Sequence, residues 1–439
     1  MKAKLIISII TNLILLHNCT FSQQVISISS NTKAYKCILD YIESFNNKNN
    51  EKLSTFFNSY YESPDLGRRL ELENSLRKSW GKLKQYRVIY DTENEVILLL
   101  QASKMPQSYL LFNIKLNDKT PDKIEFFTRT GIPKPEGSTT LLTDEQAMYF
   151  ADRSVPVEER IIQQTVHETA NAFDTYYYIP GIGKRISAML IENLNSRKYF
   201  HLTKAGRLAD SITEDVHKLY FDSHSWIEAN RRLLPYDSVA GPSQNYGFES
   251  VKILMGNIGY IKFNEFSPLK EAQEIASRAL DTLSDCKSLI FDLRDNYGGY
   301  PEMTQFLSSY FFSIPIKINT LYDRNGNIVN EIWTLDSIPG KRFSDTFPVI
   351  ILTSEQTASA AEGFVSFFKK TKRAMIIGEP TNGAYHPAKE IVINSLFVVS
   401  VPFLRGEAID LREGDGIPPD ITVSSEIALE KALEYLRNQ

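Results

Sequence analysis

The sequence has 439 residues, too many for one ordinary domain, which predicts two or three. Its composition, 42% hydrophobic and 23% charged, is typical of globular proteins and excludes a disordered or fibrous chain. The formal net charge of -4 argues against a nucleic-acid partner, because such proteins usually depend on bulk positive charge. The 3 cysteines have no C-x-x-C spacing, so the sequence predicts neither a disulfide framework nor a zinc or redox site.

The first two dozen residues are typical of an export signal. Two lysines precede an apolar run, Leu5–Leu16, that is too short to span a membrane. We therefore expect residues 1–23 to be removed and the protein to be exported, periplasmic or secreted, without an integral membrane span. A lipid anchor on Cys19 is the alternative, although the three residues before Cys19 are not the small ones that a lipoprotein signal carries.

Residues 30–132 are predicted to form a small α+β domain. Apolar residues recur at helical spacing in the first half, and four short runs rich in β-branched and aromatic residues follow. Helices before strands indicate a curved antiparallel sheet. The order and length resemble the cystatin-like domains that accompany secreted hydrolases, and we expect an accessory domain without chemistry of its own.

The rest of the chain is predicted to contain two further units. A Pro- and Gly-containing linker, 131–140, leads into a mostly helical subdomain over 140–245. Strands and helices then alternate over 246–439, which is the rhythm of an α/β core. The fold class that we predict is therefore multidomain α/β.

The first segment that could carry chemistry closes an apolar strand and precedes a helix. It reads Asp292-Leu293-Arg294-Asp295-Asn296-Tyr297-Gly298-Gly299. Two successive glycines at such a turn let the backbone approach a bound group and direct N–H donors at it. A tight turn without function is the simpler interpretation of two glycines alone.

The second segment, Leu352–Glu362, also follows a buried strand. A helix that begins near Ser359 would place the serine hydroxyl among free backbone N–H groups at the positive end of the helix dipole. That environment suits a nucleophile that attacks a carbonyl, because the developing oxyanion finds donors already oriented. Ser359-x-x-Glu362 is also a capping box, and capping serines greatly outnumber nucleophilic ones.

Four motifs together resemble the signature of the tail-specific (C-terminal-processing) serine peptidases, in order and separation, over about residues 200–439. The resemblance implies a ClpP/crotonase-like core, peptide or protein substrates and no metal or organic cofactor. It also implies that Ser359 is the nucleophile and that main-chain N–H groups of Gly298 or Gly299 and of Ala360 form the oxyanion hole. The motifs are Asp292-x-Arg294-x-Asn296-x-Gly298-Gly299, Thr357-Ala-Ser-Ala-Ala-Glu362, Gly378-Glu-Pro-Thr-Asn-Gly383 and Gly416-Ile-Pro-Pro-Asp-Ile421.

The family divides by the base that activates its serine. One branch uses a lysine after the serine, but the corresponding stretch here, 382–387, has none, and the first later lysine is Lys389. The other branch includes tricorn core protease and the interphotoreceptor retinoid-binding protein repeats, and it places a histidine upstream. Ser223-His224 resembles the Ser-His pair of tricorn. His224 is therefore the predicted general base, since the pKa of histidine lies near working pH.

His386 is the main rival to His224 among the 6 histidines, because its loop should lie near the active site. Substrate binding is the role that we expect for it. His17 belongs to the export signal, and the remaining three have no counterpart in the family: His167, His201 and His217.

A neutral imidazole needs its second nitrogen held by a carboxylate or hydroxyl. Glu413 matches the glutamate that tricorn-like members place before the closing Gly-x-x-Pro-Asp element, and neighbouring Asp415 is the alternative. Ser223 matches the second serine of that branch.

The leading hypothesis is an exported serine endopeptidase that uses Ser359, His224, Ser223 and Glu413. One alternative is a non-catalytic protein on the same fold that binds an apolar ligand or a peptide, as in the retinoid-binding branch. A third possibility is an esterase.

Overall fold

A computed structural model describes residues 31–47, 49–105, 108–133, 144–229, 244–407 and 413–438. The predicted export signal, Cys19 and residues 134–140 of the predicted linker lie outside these ranges. Within them, no helix combines the length and the apolar character that crossing a membrane requires. The described chain is a mixed α/β protein with several sheets, which confirms the α/β part of the predicted class.

The N-terminal unit consists of three helices followed by an antiparallel sheet. The side chains of Thr32, Asn49 and Asp65 each accept a backbone N–H and so cap one of the helices. The sheet has the order β1-β2-β3-β4, and its last strand continues to Pro133, the third residue of the predicted linker. The elements are α1 (Lys33–Asn46), α2 (Asn50–Tyr60), α3 (Leu66–Trp80), β1 (Leu83–Asp91), β2 (Glu95–Ala102), β3 (Ser108–Leu116) and β4 (Ile124–Pro133).

Both faces of this sheet are covered. The three helices bury an aromatic core around Tyr41 and Phe112 on one face. Helix α4 (Asp144–Arg153) packs Ala147 and Ala151 against the other face, beside Leu99 of β2. The N-terminal unit therefore contacts the rest of the chain through α4.

Helix α4 is also ionically tied to the next unit. Arg153 donates to both carboxylate oxygens of Asp210 at 2.7 Å and to those of Glu228 at 2.7 and 2.9 Å. The Arg153 side chain is 17% exposed and that of Glu228 is 24% exposed, so water screens this contact only in part.

Replacement of Arg153 by methionine should lower the free energy of unfolding by about 1–3 kcal/mol, because it leaves Glu228 largely buried without its partner. Urea unfolding of the two proteins measures the difference. Lys218→Met, which removes an exposed pair with Glu214, is the matched control and should have no measurable effect. Equal unfolding midpoints for the Arg153 variant and the parent would contradict this role.

The second unit is a helical layer on a small sheet. Strand β5 pairs antiparallel with β14, which in turn pairs with β13, so strands from the C-terminal third complete the helical unit. The domain boundary predicted near residue 245 therefore separates β5 from β13 and β14, although the three strands form one sheet. The elements are α5 (Glu159–Tyr176), α6 (Pro180–Asn195), α7 (Ala205–Leu219), β5 (Trp226–Ala229), β13 (Ala388–Val392) and β14 (Phe397–Pro402).

The third unit is built on a six-stranded sheet of order β15-β12-β11-β8-β7-β6, in which only the β6–β7 pair is antiparallel. Helices α8, α9 and α10 cover one face and α11 covers the other, while β9 and β10 form a separate ribbon. These elements are β6 (Phe248–Leu254), β7 (Ile258–Phe263), α8 (Lys270–Thr282), β8 (Ser288–Asp292), α9 (Pro301–Ser308), β9 (Lys317–Tyr322), β10 (Ile328–Trp333), β11 (Val349–Thr353), α10 (Ala360–Lys370), β12 (Met375–Gly378), β15 (Ile421–Thr422) and α11 (Ala428–Arg437).

The carboxyl ends of the central parallel strands lie side by side. The predicted motifs follow β8, β11 and β12 directly, and such an edge is where open α/β sheets bind their ligands. The fold thus brings residues near 296, 359 and 381 to one edge of the sheet.

Candidate active site

Ser359 occupies the turn between β11 and α10. Its φ of 55° and ψ of -120° are rare for a residue with a side chain, so the turn stores strain that the surrounding contacts must maintain. The backbone N–H of Ser359 donates to Glu362 Oε2 at 3.0 Å, as the capping-box pattern predicted. The helix begins at Ala360, one residue after the serine.

Glu362 has a larger role than a helix cap. It is fully buried and also accepts hydrogen bonds from Thr381 Oγ1 at 2.6 Å and from the N–H groups of Gly383 and Ala384 at 2.7 Å each. Burial raises the pKa of Glu362. The carboxylate therefore fastens the loop after β12 to the serine turn.

The Gly298-Gly299 turn lies against Ser359. Both glycines have positive φ, 96° and 129°, and a Cβ on Gly298 would lie 2.6 Å from the Cβ of Ser359. A Cβ on Gly299 would lie 2.4 Å from the carbonyl oxygen of Phe266. The carbonyl of Asn296 accepts the N–H of Ala358 at 3.1 Å, which joins the two turns. Glycine is required at both positions by close approach as well as by conformation.

The predicted oxyanion hole consists of the main-chain N–H group of Gly298 or Gly299 and that of Ala360. That of Gly298 donates to Asn296 Oδ1 at 2.9 Å and so is engaged within the protein. Those of Gly299 and Ala360 have no acceptor in the described part of the chain, and both residues line the same cavity as Ser359. This pair of free donors at a helix start is the arrangement that an oxyanion requires.

A Gly298→Ala variant tests the close approach. The added methyl group would displace Ser359 or the free N–H groups beside it. If Ser359 is the nucleophile, turnover should fall by about 10²–10³-fold, the scale of losing one oxyanion donor. Measurement of kcat and of the unfolding midpoint separates this effect from loss of fold. Gly326→Ala, at a positive-φ glycine with open space around it, controls for strain alone. Equal losses of activity in the two variants would contradict the contact with Ser359.

Asp292 and Arg294, which belong to the motif at residues 292–299, support the Gly298-Gly299 turn. Asp292 is fully buried and accepts from Arg294 Nε at 2.8 Å and from the Tyr260 hydroxyl at 2.6 Å. Burial by itself would raise the pKa of Asp292, but the hydrogen bonds and charge of Arg294 lower it. Arg294 also donates to the carbonyl of Ser425, at the start of the C-terminal segment. These two motif residues are therefore structural.

Glu413 is the centre of a second cluster. Its Oε1 accepts the hydroxyl of Ser223 at 2.9 Å, and its Oε2 accepts the N–H of Tyr385 at 3.1 Å. His386 Nδ1 lies 2.9 Å from the same Oε2. The Glu413 side chain is only 3% exposed, whereas the alternative carboxylate, that of Asp415, is exposed. The structure thus brings Ser223 and Glu413 together, with His386 as a third partner.

Asp222 is a member of this cluster that sequence reasoning missed. It is fully buried, and its Oδ1 accepts the backbone N–H of His224 at 3.0 Å. Its Oδ2 accepts the hydroxyl of Tyr177 at 3.2 Å and lies 3.4 Å from His386 Nδ1. Its position beside Ser223-His224 was the only available signal in the sequence.

His224 makes no ring hydrogen bond with any described residue. Its Nδ1 is buried and unpartnered within the described part of the chain. Burial lowers the pKa of His224 by more than the charges of Asp222 and Glu413 raise it, and the charge of His386 lowers it further. The ring is therefore neutral at neutral pH. Its turn is closed by another histidine, because His217 Nε2 lies 2.7 Å from the carbonyl oxygen of Ser225.

His386 and Ser359 line one cavity of about 680 Å³, together with Tyr178. The ring of Tyr178 stacks on His386 at a centroid distance of 4.1 Å. Burial by itself would lower the pKa of His386, but Asp222 and Glu413 raise it to about 9. Lys389 lies elsewhere, with its ammonium over the rings of Tyr176 and Phe403.

The carboxylates of Asp222 and Glu413 and the imidazole of His386 offer three ligand atoms within 4.8 Å of one another, close enough to surround a cation. Hydrogen-bond donors already engage the carboxylate oxygens, namely Tyr177, Ser223, the N–H of His224 and the N–H of Tyr385. This arrangement is that of a hydrogen-bonded ion-pair cluster.

Comparison with known proteins finds similarity to a peptidase family model and to curated processing peptidases. Residues 257–423 match the model of Peptidase family S41. Over 129 residues the chain is 32% identical to carboxyl-terminal-processing peptidase 2, chloroplastic, of Arabidopsis thaliana, covering 29% of this chain and 24% of that protein. Over 138 residues it is 32% identical to the carboxy-terminal processing protease CtpA of Bacillus subtilis, covering 30% and 28%. This chain therefore spans only about a quarter of the length of these curated relatives.

Solved structures also resemble the chain. A putative peptidase from Parabacteroides merdae aligns with 64% of this chain and 97% of its own, at a TM-score of 0.47 and 17% sequence identity.

Proposed function

We propose that this chain, whose residues 257–423 match the model of Peptidase family S41, is a serine peptidase of that family that cleaves peptide bonds through an acyl-enzyme on Ser359. The observation that carries the proposal is the turn of Ser359, strained and held beside the unengaged N–H groups of Gly299 and Ala360 in one cavity. A tetrahedral oxyanion formed at Ser359 would find both donors oriented before the reaction begins.

His224 is the proposed general base. Only a neutral imidazole can take the serine proton, and burial keeps His224 neutral at neutral pH. Ser359 attacks the peptide carbonyl as His224 accepts its proton, and His224 then returns that proton to the leaving amine. Water then hydrolyses the acyl-enzyme: His224 accepts the proton of the attacking water and returns it to the Ser359 oxygen.

Ser223 and Glu413 complete the proposed site. The Ser223 hydroxyl is fixed by Glu413 at 2.9 Å, next to His224 in the chain, and Glu413 supplies the negative charge that stabilises the imidazolium. Burial by itself would raise the pKa of Glu413, but His386 and the donors around it lower it, so the carboxylate stays ionised.

The tricorn-like branch is favoured over the branch with a catalytic lysine. Lys389 is the first lysine after the loop that follows β12, and its ammonium is committed to two aromatic rings. A lysine base would instead need to reach the hydroxyl of Ser359.

We further propose finer assignments for the fold and the location. The six-stranded sheet with α8–α10 on one face supports a ClpP/crotonase-like core, and α1–α3 packed on a four-stranded antiparallel sheet support a cystatin-like accessory domain. The positively charged and apolar start of the sequence supports export to the periplasm or the exterior.

The rival function is binding without catalysis, and the apolar wall of the cavity favours it as the second candidate. Ile318, Leu321, Phe367 and Ile417 contribute to that wall. An apolar ligand or peptide could occupy the cavity without reacting.

Labelling with a fluorophosphonate probe separates the two functions. The mature protein should form a covalent adduct that peptide mass spectrometry locates at Ser359, and it should cleave an unbiased peptide mixture. Protein that stays unlabelled and inactive, yet binds apolar ligands, would replace the peptidase by the binding function. Ester turnover without peptide turnover would indicate an esterase.

A further inference from the structure

The loop that follows β12 contains an imidazole that the proposed proton transfer does not use. His386 is clamped from two sides. Its Nδ1 faces the carboxylates of Glu413 at 2.9 Å and Asp222 at 3.4 Å, and its ring face stacks on Tyr178. The side chain is 16% exposed and lines the cavity that contains Ser359.

This clamp fixes which edge of the ring meets a ligand. Because Nδ1 is buried and lies 2.9 and 3.4 Å from the two carboxylates, Nε2 on the far edge of the ring is the nitrogen left for the cavity. We propose that His386 is a substrate-binding residue whose Nε2–H donates a hydrogen bond to a main-chain carbonyl oxygen of the bound peptide. This inference rests on the proposed peptidase function and names a contact for its substrate.

The charges of the cluster decide between a carbonyl and a carboxylate as the acceptor. A protonated His386 between two carboxylates leaves the three groups with one net negative charge, so the cluster would repel a substrate carboxylate. A neutral carbonyl oxygen is not repelled in this way, and it accepts a charge-assisted hydrogen bond. The apolar wall of the cavity likewise suits an uncharged stretch of peptide.

Protonation of His386 supports a donor role. Among the described residues, the titratable groups that face or neighbour its ring are Asp222, Glu413, Tyr178 and His224. The two carboxylates raise the pKa of His386 to about 9, so both ring nitrogens carry hydrogen at neutral pH. When the ring deprotonates, the nitrogen beside the carboxylates keeps its hydrogen. Nε2 loses its hydrogen and can no longer donate a hydrogen bond.

Two variants test the contact. His386→Phe keeps a ring for stacking on Tyr178 but has no donor, and kcat/KM for an extended peptide should fall by about 10- to 100-fold. His386→Gln places an amide donor near the position of Nε2 and should restore part of that loss. His167→Gln, at an exposed histidine of α5, is the matched control.

Labelling by a small fluorophosphonate provides the second readout, because this probe reports activation of Ser359 without an extended peptide. In both His386 variants the loss in peptide kcat/KM should exceed the loss in labelling rate by at least tenfold. The wild-type kcat/KM should also decline as the pH rises through about 9, and His386→Gln should lack that decline because an amide does not titrate there.

The outcomes are distinct. Wild-type peptide kinetics in a folded His386→Phe protein would overturn the contact. Equal losses of labelling and of peptide turnover would make His386 the general base and overturn the substrate role. Failure of the wild-type protein to react with the probe would instead refute the peptidase function itself.

Discussion

Replacing Ser359 with alanine should lower peptide turnover by about 10⁴–10⁶-fold and leave the protein folded. The loss is large because alanine has no hydroxyl with which to form the acyl-enzyme. The fold should survive because the hydrogen bond that holds this turn comes from the backbone N–H of Ser359 to Glu362, which alanine retains. Loss of a helix cap costs only about 0.5–2 kcal/mol.

Turnover of a quenched fluorescent peptide, with thermal unfolding of the same preparations, measures both parts of this expectation. Ser395→Ala, at an exposed serine in the turn between β13 and β14, controls for the substitution itself. A folded Ser359→Ala protein with wild-type turnover would remove Ser359 from the mechanism.

The sequence predicted the features of this site that depend on local chain geometry. Strand-to-helix turns place Gly298-Gly299 and Ser359 at neighbouring strand ends, and the periodicity of the flanking segments is enough to predict both turns. The capping box predicted the contact between Ser359 and Glu362. The same pattern could not predict the other three donors to Glu362, because they come from a loop that folds back about 20 residues later.

The charged cluster depended on contacts that no local pattern encodes. Asp222, His386 and Glu413 come from three separate segments of the chain, and the pairing of β5 with β14 helps to bring the first two segments together. The sequence favoured His224 over His386 only through its resemblance to the Ser-His pair. The fold separates them physically, because their surroundings shift the two pKa values in opposite directions. Such divergence between two titratable groups is a physical basis for giving them different roles.

The sequence also did not predict the positive φ of Ser359. Positive φ is normally inferred from glycine, and a serine there gives no such signal. The engaged N–H of Gly298 depends on the side-chain rotamer of Asn296, which periodicity does not specify.

Replacing His224 with alanine should be nearly as damaging as replacing Ser359. The serine hydroxyl is a weak nucleophile until a base removes its proton, so in the proposed mechanism the two residues act as one unit. Members of such a unit are strongly non-additive. The double variant Ser359→Ala/His224→Ala should therefore be no slower than the Ser359→Ala protein, and fluorophosphonate labelling of His224→Ala should be lost.

The pH dependence supplies an independent measurement of the base. Burial lowers the pKa of His224 below its ordinary value of 6.5, and the neutral ring is the active form. The acid limb of kcat/KM for the wild-type protein should therefore have its midpoint below pH 6.5, with activity rising as the ring loses its proton. A midpoint well above 6.5 would show that a group other than His224 limits the rate.

Two further variants identify the base if His224 is not responsible. Glu413→Gln should keep a folded protein and reduce the rate less completely than His224→Ala, because Glu413 stabilises the imidazolium without carrying the proton. Lys389→Ala should lose only its contacts with Tyr176 and Phe403. An active His224→Ala protein beside an inactive Lys389→Ala protein would move the chain to the branch with a catalytic lysine. An active His224→Ala protein beside a His386→Gln protein that no longer reacts with the probe would assign the base to the loop after β12.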